Sequence, residues 1–173
     1  PVIGIRTASH AFHLRNKPAP DGLADWPDLD AEVFGGSYSN HYGHQLQSHV
    51  MALASAKDHP ILKRMPEGEF TGGGGLYQTA PLKDGATQLL RGRVDGVESP
   101  EPVAWTFTRK DGGKSFYTSL GHPDDFQRPE VTTLLKNAVA WLVDGRGSKV
   151  DGQTKQSTSA SSPSTINHQP STL

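Results

Sequence analysis

The stretch Pro1-Val-Ile-Gly-Ile-Arg6 opens the chain with a short, continuous apolar run. A run without apolar–polar alternation is typical of a strand buried on both faces of a parallel sheet. A buried central strand needs neighbours on both sides, and parallel neighbours require crossover connections. We therefore expect an α/β fold whose preceding βα units are not part of this sequence. The alternative is an edge strand covered on one face.

A β-hairpin is the strongest local signal further along the chain. Residues 86–94 and 103–109 have the composition of strands. Residues 114–120 are placed to pair with the second of them through the turn Lys110-Asp-Gly-Gly113. Trp105 alternates with Thr106 in this region, so we expect its ring to pack into a sheet face.

Residues 129–143 predict an amphipathic helix. Pro129 suits the first turn of a helix, and Gly145 suits its end. The apolar side chains recur at helical spacing and form one stripe: Val131, Leu134, Leu135, Ala138 and Leu142. This helix should pack on the sheet.

The segments between these elements give weaker signals. Residues 7–15 could begin a helix, and residues 45–54 favour a strand. Asp58 is a candidate cap for a short helix that ends before Pro66. Residues 98–101 carry charges that suggest ordinary solvated positions.

Composition bounds the organisation and the partners of the chain. Lys and Arg number 17 against 18 Asp and Glu, so no electrostatic attraction favours nucleic acid. No apolar run approaches the roughly 20 residues needed to span a bilayer. From residue 147 the composition turns to Ser, Thr, Gln and Lys, which cannot offset the entropy of ordering. We expect a folded domain over residues 1–146 and a disordered tail over residues 147–173, whereas compartment and oligomeric state do not follow from the sequence.

The order of motifs resembles that of ThuA-like (trehalose-utilisation) domains. Gly4-Ile-Arg-Thr-Ala-Ser-His-Ala-Phe12 resembles the strand-to-helix elbow of that family, and Phe34-Gly-Gly-Ser-Tyr-Ser-Asn-His41 its Gly-Gly segment ending in His. Asp58-His-Pro-Ile61 resembles a His-Pro turn of the family. Ala104-Trp105, followed by Ser115-Phe-Tyr-Thr-Ser-Leu-Gly-His122, looks like the final hairpin.

The resemblance implies a flavodoxin-like, class I glutamine amidotransferase-like three-layer sheet with a ligand site at the carboxyl ends of its parallel strands. Open α/β sheets bind ligands at that edge, where the loops diverge. In amidotransferases the elbow carries a nucleophilic cysteine, and the corresponding residue here is Arg6. The chain has no cysteine, and a guanidinium cannot serve as the nucleophile, so glutamine hydrolysis by the Cys-dependent amidotransferase mechanism is disfavoured.

The resemblance further implies a small carbohydrate or an oxidised sugar derivative as ligand. His10 and His122 are the candidates for acid and base catalysis, because the imidazole pKa lies near neutrality. The candidate substrate-binding residues offer aromatic faces or hydrogen bonds: Arg6, Ser9, Tyr38, His41, His44 and Ser119.

Three other functions stay open at this point. His41 and His44 lie three residues apart, and His10, His13 or His122 could complete the ligands of a divalent metal. The missing nucleophile also suits a noncatalytic binding module or scaffold. A serine hydrolase built on Ser9, His10 and Asp124 or Asp125 is disfavoured, because no Gly-x-Ser-x-Gly elbow is present.

Overall fold

The computed structural model describes residues 1–14 and 17–147. The strands are β1 Val2–Ile5, β2 Asn40–His41, β3 Ser48–Ala52, β4 Phe70–Gly72, β5 Tyr77–Gln78, β6 Ala86–Arg93, β7 Glu101–Thr108 and β8 Lys114–Thr118. A long helix, α1, spans Pro129–Gly147. Short 3₁₀ helices span Arg6–His10, Ala54–Ala56, Pro60–Leu62 and Pro123–Gln127, and a π-helical turn spans Asp30–Phe34.

Six strands form one mixed sheet in the order β1-β8-β7-β6-β3-β4. Strands β1 and β8 pair in parallel, and the other neighbours in this sheet are antiparallel. The separate antiparallel pair β2–β5 lies beside it. The predicted α/β class is therefore confirmed, although most of the pairing among the described strands is antiparallel.

The predicted hairpin is confirmed with slightly different bounds. β7 and β8 pair antiparallel, with Trp105 opposite Tyr117. The turn closes through two backbone hydrogen bonds between Arg109 and the glycines Gly112 and Gly113. Gly112 has a φ of 74°, which a glycine adopts without steric cost.

Successive side chains of a strand point to opposite faces of the sheet, and both faces of this sheet are covered. Phe116 belongs to the main core, which includes the apolar stripe of α1. Tyr117 belongs to a second core with Leu29, Phe34 and Trp105 on the other face. The predicted helix thus packs on the sheet, and the Trp105 ring lies within a sheet face, 1% exposed.

β1 differs from the expected central strand. Only Gly4 of its four residues is buried, and β8 is its single neighbour within the described ranges. A short run of apolar residues has no alternating pattern, so it does not show whether the strand is buried on one face or on both. The expectation of preceding βα units stays a prediction.

The helix bounds also differ in two places. α1 continues to Gly147 rather than ending before Gly145, and residues 148–173 of the predicted tail lie outside the described part of the chain. The expected cap at Asp58 is wrong by one residue: His59 is the N-cap, and its Nδ1 accepts a hydrogen bond from the Ile61 N–H at 3.2 Å. An imidazole nitrogen supplies the acceptor that an aspartate usually provides.

None of the helices in the described ranges combines the length and the apolar character needed to cross a bilayer.

His59 should make the stability of the domain depend on pH. Burial and the nearby Lys114 ammonium lower the pKa of His59 below its ordinary value of 6.5. The unfolded chain then binds the proton more readily than the folded chain does. The contribution of His59 to the free energy of unfolding is therefore fully present above about pH 6.5, and it is lost as the pH falls from there to the folded-state pKa. We expect His59→Asn, which keeps a capping acceptor, to flatten this part of the profile. The measurement is the free energy of urea unfolding between about pH 5 and pH 8, the range in which an imidazole changes its charge.

His13→Asn is the matched control, because the His13 side chain is 41% exposed. If the control flattens the profile as much as His59→Asn, the assignment to His59 is wrong.

Candidate functional site

The backbone turns sharply at Arg6, directly after β1. Arg6 has a φ of 47°, a left-handed conformation that is uncommon for a residue with a side chain. Two hydroxyls donate hydrogen bonds to its carbonyl oxygen: Tyr117 Oη at 2.6 Å and Ser9 Oγ at 3.2 Å. A nucleophile elbow has this geometry, in which a strained residue connects a strand to a helix. The elbow expected from the sequence is present, with Arg6 at its apex.

The side chain of Arg6 is half-buried beneath the four consecutive glycines at 72–75, which we term the glycine-rich segment. Its Nη1 donates to the carbonyl of Ser119 at 3.0 Å, and its guanidinium carbon lies 4.7 Å from the ring centroid of Tyr77. A Cβ on Gly74 would lie 2.5 Å from Nη2, so a larger residue there would have to displace the guanidinium. Among the ion pairs of the described residues, none involves Arg6.

Five rings gather beside Arg6 and form what we term the aromatic–imidazole cluster: His10, Tyr38, His41, His44 and Tyr77. The ring of Tyr38 stacks on His10 with centroids 4.6 Å apart, and it meets Tyr77 at 4.5 Å. The Tyr38 hydroxyl and His41 Nδ1 share a hydrogen bond of 2.9 Å. His41 in turn lies 4.7 Å from His44.

Tyr77 occupies the centre of this cluster, and the sequence did not single it out. The antiparallel pairing of β2 with β5 places it opposite His41. Burial raises the pKa of the Tyr77 hydroxyl, while the Arg6 guanidinium opposes that rise. The phenol therefore stays neutral near pH 7. A tyrosine shortly after a glycine run was the one available sign, and by itself it predicts no site.

The segment after Tyr77 is fixed by Glu101, which the sequence suggested to be solvated. Glu101 is 8% exposed, and its carboxylate accepts hydrogen bonds from the backbone N–H groups of Thr79 and Ala80, at 2.8 and 2.9 Å. That prediction is wrong for Glu101. A buried carboxylate is stable where backbone donors satisfy it, and here it ties β5 to β7.

Ser9 and His10 contact each other at the elbow. Ser9 Oγ and His10 Nδ1 share a hydrogen bond of 3.1 Å, whose direction depends on the tautomer of the imidazole. The same hydroxyl contacts the carbonyl of Arg6 at 3.2 Å. Ser9 therefore holds the ring of His10 next to the elbow.

His122 has a structural contact of its own. Its Nδ1 accepts from the Asp124 N–H at 3.4 Å and caps the helix Pro123–Gln127. The same nitrogen lies 3.4 Å from the Asp124 carboxylate. A Cβ on Gly73 would lie 3.0 Å from it, whereas the next glycine faces Arg6. The glycine-rich segment therefore touches His122 at one residue and Arg6 at the next.

Asp125 fixes the glycine-rich segment to the loop that follows β8. Its side chain is fully buried, and its Oδ1 accepts from the Gly73 N–H at 2.7 Å. Its Oδ2 accepts from the N–H groups of Gly121 and His122, at 2.8 and 2.9 Å. With both oxygens bound to backbone, Asp125 is engaged as a structural anchor and not as the orienting acid of a serine hydrolase.

The structure groups most of the predicted site residues and separates others. Arg6, Ser9, Tyr38 and the histidines 10, 41 and 44 lie together. Ser119 is 4% exposed and supplies its carbonyl to Arg6. His13 lies 3.9 Å from Asp25 in an exposed loop. In residues 1–14 and 17–147, no group of three or more His, Cys, Asp or Glu side chains is arranged to hold a metal ion.

The elbow and the mixed sheet define an α/β domain with an arginine at the turn after its first strand. The chain matches the trehalose utilisation (ThuA) family over residues 19–142, which is more than half of its 173 residues, and it belongs to that family. No curated protein gives a significant match.

A solved structure supports the same fold. The crystal structure of a ThuA-like protein from Bacteroides uniformis ATCC 8492 is similar to this chain, with a TM-score of 0.56 and 22% sequence identity. The match covers 82% of this chain and 57% of that protein. The chain thus spans little more than half the length of this relative.

Replacing Asp125 should destabilise the domain. In Asp125→Asn an amide NH₂ replaces one acceptor oxygen and faces backbone donors, so we expect the free energy of unfolding to fall by about 2–4 kcal/mol. Denaturant unfolding monitored by circular dichroism measures it.

The matched control is Asp124→Asn. The Asp124 side chain is 75% exposed, so its replacement should change stability by less than about 0.5 kcal/mol. Equal losses in the two variants would contradict the anchoring role of Asp125.

Proposed function

We propose that the domain binds a small carbohydrate or an oxidised sugar derivative at the aromatic–imidazole cluster. The observation that carries this proposal is the stack of Tyr38 on His10, with the hydroxyl of Tyr38 bound to His41. Sugar rings have apolar C–H faces and polar edges, so they suit a site where aromatic faces adjoin hydrogen-bonding nitrogens. Tyr38 and His41 are both partly exposed, which leaves them accessible to a ligand.

Arg6 supports the oxidised form of the ligand. Its guanidinium has hydrogen-bond donors beyond the one that binds Ser119, and it forms no ion pair with the described residues. A planar guanidinium binds a carboxylate through two parallel hydrogen bonds. A sugar acid would therefore gain a charged contact that a neutral sugar lacks.

For catalysis we propose His10 as the group that accepts and returns a proton, with His122 as its partner and no particular reaction specified. Nδ1 of His10 lies 3.1 Å from Ser9 Oγ, and its ring stacks on Tyr38. Arg6, Tyr38 and His41 would orient the substrate beside it, with His44 and Ser9 completing the site. Acid–base groups of this kind contribute about 10²–10⁴-fold to a reaction rate.

A noncatalytic binding module is the second candidate function, and His122 favours it. The ring of His122 already caps a helix through Nδ1. An imidazole engaged in a cap is less available for proton transfer, and a site with one remaining acid–base group suits binding better than turnover.

Replacing Tyr38 should separate stacking from hydrogen bonding. Tyr38→Ala removes the ring and should weaken ligand binding about tenfold or more, whereas Tyr38→Phe keeps the stack and should weaken it less. The measurement is titration with trehalose, glucose and gluconate, followed by ¹H–¹⁵N NMR of the whole chain. We expect gluconate to bind more tightly than glucose, and Arg6→Gln to abolish that difference.

Binding of all three probes at unchanged affinity in Tyr38→Ala would contradict the location of the site. An absence of saturable binding by wild-type protein would remove the carbohydrate proposal itself.

Proton abstraction from carbon is one form of this acid–base chemistry and can be tested without knowing the full reaction. In D₂O, a site that abstracts a proton from the carbon next to a carbonyl exchanges that hydrogen of a keto sugar for deuterium, which ¹H NMR detects as signal loss. We expect His10→Gln to slow exchange about 100-fold or more. His122→Asn keeps a capping acceptor while removing the imidazole, so any loss in this variant reflects proton transfer and not loss of the cap.

Saturable binding with no exchange in wild-type protein would rule out proton abstraction from carbon at this site. Exchange that persists unchanged in both variants would eliminate the proposed histidine chemistry.

A further inference from the structure

A cavity of about 270 Å³ lies on the outer face of the sheet, away from the glycine-rich segment. Its floor is built by cross-strand pairs of β3 and β6, with His49 opposite Arg93 and Met51 opposite Arg91. Side chains of residues opposite each other in a sheet share a face. Further lining comes from Glu69 and, in the β6–β7 connection, from Val97, Glu98 and Pro100.

The two arginines that line this cavity differ in their ion pairs. At one end Arg93 contacts two carboxylates, Glu69 at 3.2 Å and Asp95 at 2.9 Å. His49 lies between the same two carboxylates, with its Nδ1 3.0 Å from Glu69 and its Nε2 3.7 Å from Asp95. The cation of Arg93 is therefore already neutralised within the protein.

Arg91 contrasts with its neighbour two residues along the strand. The hydrogen bond of its side chain within the described residues goes from Nη2 to the sulfur of Met51, at 3.4 Å, and none of the ion pairs found there includes it. A thioether sulfur is a weak acceptor, whereas a guanidinium has five donors. Arg91 therefore forms no ion pair within the described residues, and it lines the cavity together with the apolar side chains of Met51, Val97 and Pro100.

We propose that this cavity binds a small molecule with one carboxylate on an apolar body. The carboxylate pairs with the guanidinium of Arg91, and the apolar body covers Met51 and Val97. A dianion is disfavoured, because Glu69 and Glu98 lie along the same cavity and Arg93 is already paired. The volume is below that of typical drug-sized sites, which restricts the ligand to a short chain.

This site is separate from the aromatic–imidazole cluster. The cluster lies beside the elbow after β1, and the cavity lies on β3 and β6, which β8 and β7 separate from β1 in the sheet order. The two sites share no lining residue. Binding here accordingly does not depend on the proposed carbohydrate site.

The test is a titration of the whole chain with 4-methylpentanoate, followed by ¹H–¹⁵N NMR shifts of residues 49–51 and 91–93. The uncharged 4-methylpentanamide has the same carbon skeleton and isolates the contribution of the carboxylate. We expect saturable shifts with the acid at millimolar concentration and a much weaker response to the amide. Arg91→Gln should weaken binding of the acid at least about tenfold, as expected for a charged hydrogen bond.

Lys136→Gln removes the same charge from an exposed position on α1 and should leave the affinity unchanged. Because Arg91 is exposed, its replacement should leave the protein folded, and the backbone NMR signals of residues outside the cavity should not change. Equal affinity for acid and amide, full affinity in Arg91→Gln, or no saturable shift in the wild-type protein would each overturn the proposal.

Discussion

The hydrogen bond from the Tyr117 hydroxyl to the carbonyl of Arg6 joins the two strands on which the candidate site depends. It connects the elbow after β1 to the interior of β8 at 2.6 Å. Burial raises the pKa of Tyr117 far above its ordinary value, so the phenol remains a donor across the accessible pH range. The strained φ of Arg6 persists because this bond and that of Ser9 Oγ hold its carbonyl in place. The orientation of Arg6 and of the following His10 derives from that constraint.

A second constraint is the close approach of the glycine-rich segment. Gly73 is bound to Asp125, and Gly74 lies over the guanidinium of Arg6. A Cβ would lie 3.0 Å from His122 Nδ1 at Gly73 and 2.5 Å from Arg6 Nη2 at Gly74, so a larger residue at either position would have to displace its partner. The segment brings β4 near the elbow and leads into β5, which positions Tyr77. The polar loop after β8 and the aromatic–imidazole cluster are thereby fixed by one stretch of backbone.

Much of the fold was predictable from local pattern. The β7–β8 hairpin follows from its turn residues, and α1 follows from its apolar stripe, because both signals arise within a few residues of sequence. Asp58 and Glu101 were misjudged for a different reason. Whether a side chain caps a helix or is buried depends on which backbone N–H groups lie beside it, and the donors to Glu101 come from Thr79 and Ala80, in the segment after β5.

The sequence by itself was enough to show the family resemblance and the absence of a cysteine nucleophile. It also predicted that Arg6, Ser9 and His10 lie together, because these residues belong to one short elbow. It also indicated Tyr38 and His41 through their loop composition. Tertiary contacts were needed to show that Tyr77 completes the cluster and that Arg91, unlike Arg93, has no counter-ion among the described residues. Each of these findings depends on residues distant in the chain, and strand register sets such contacts where local spacing cannot.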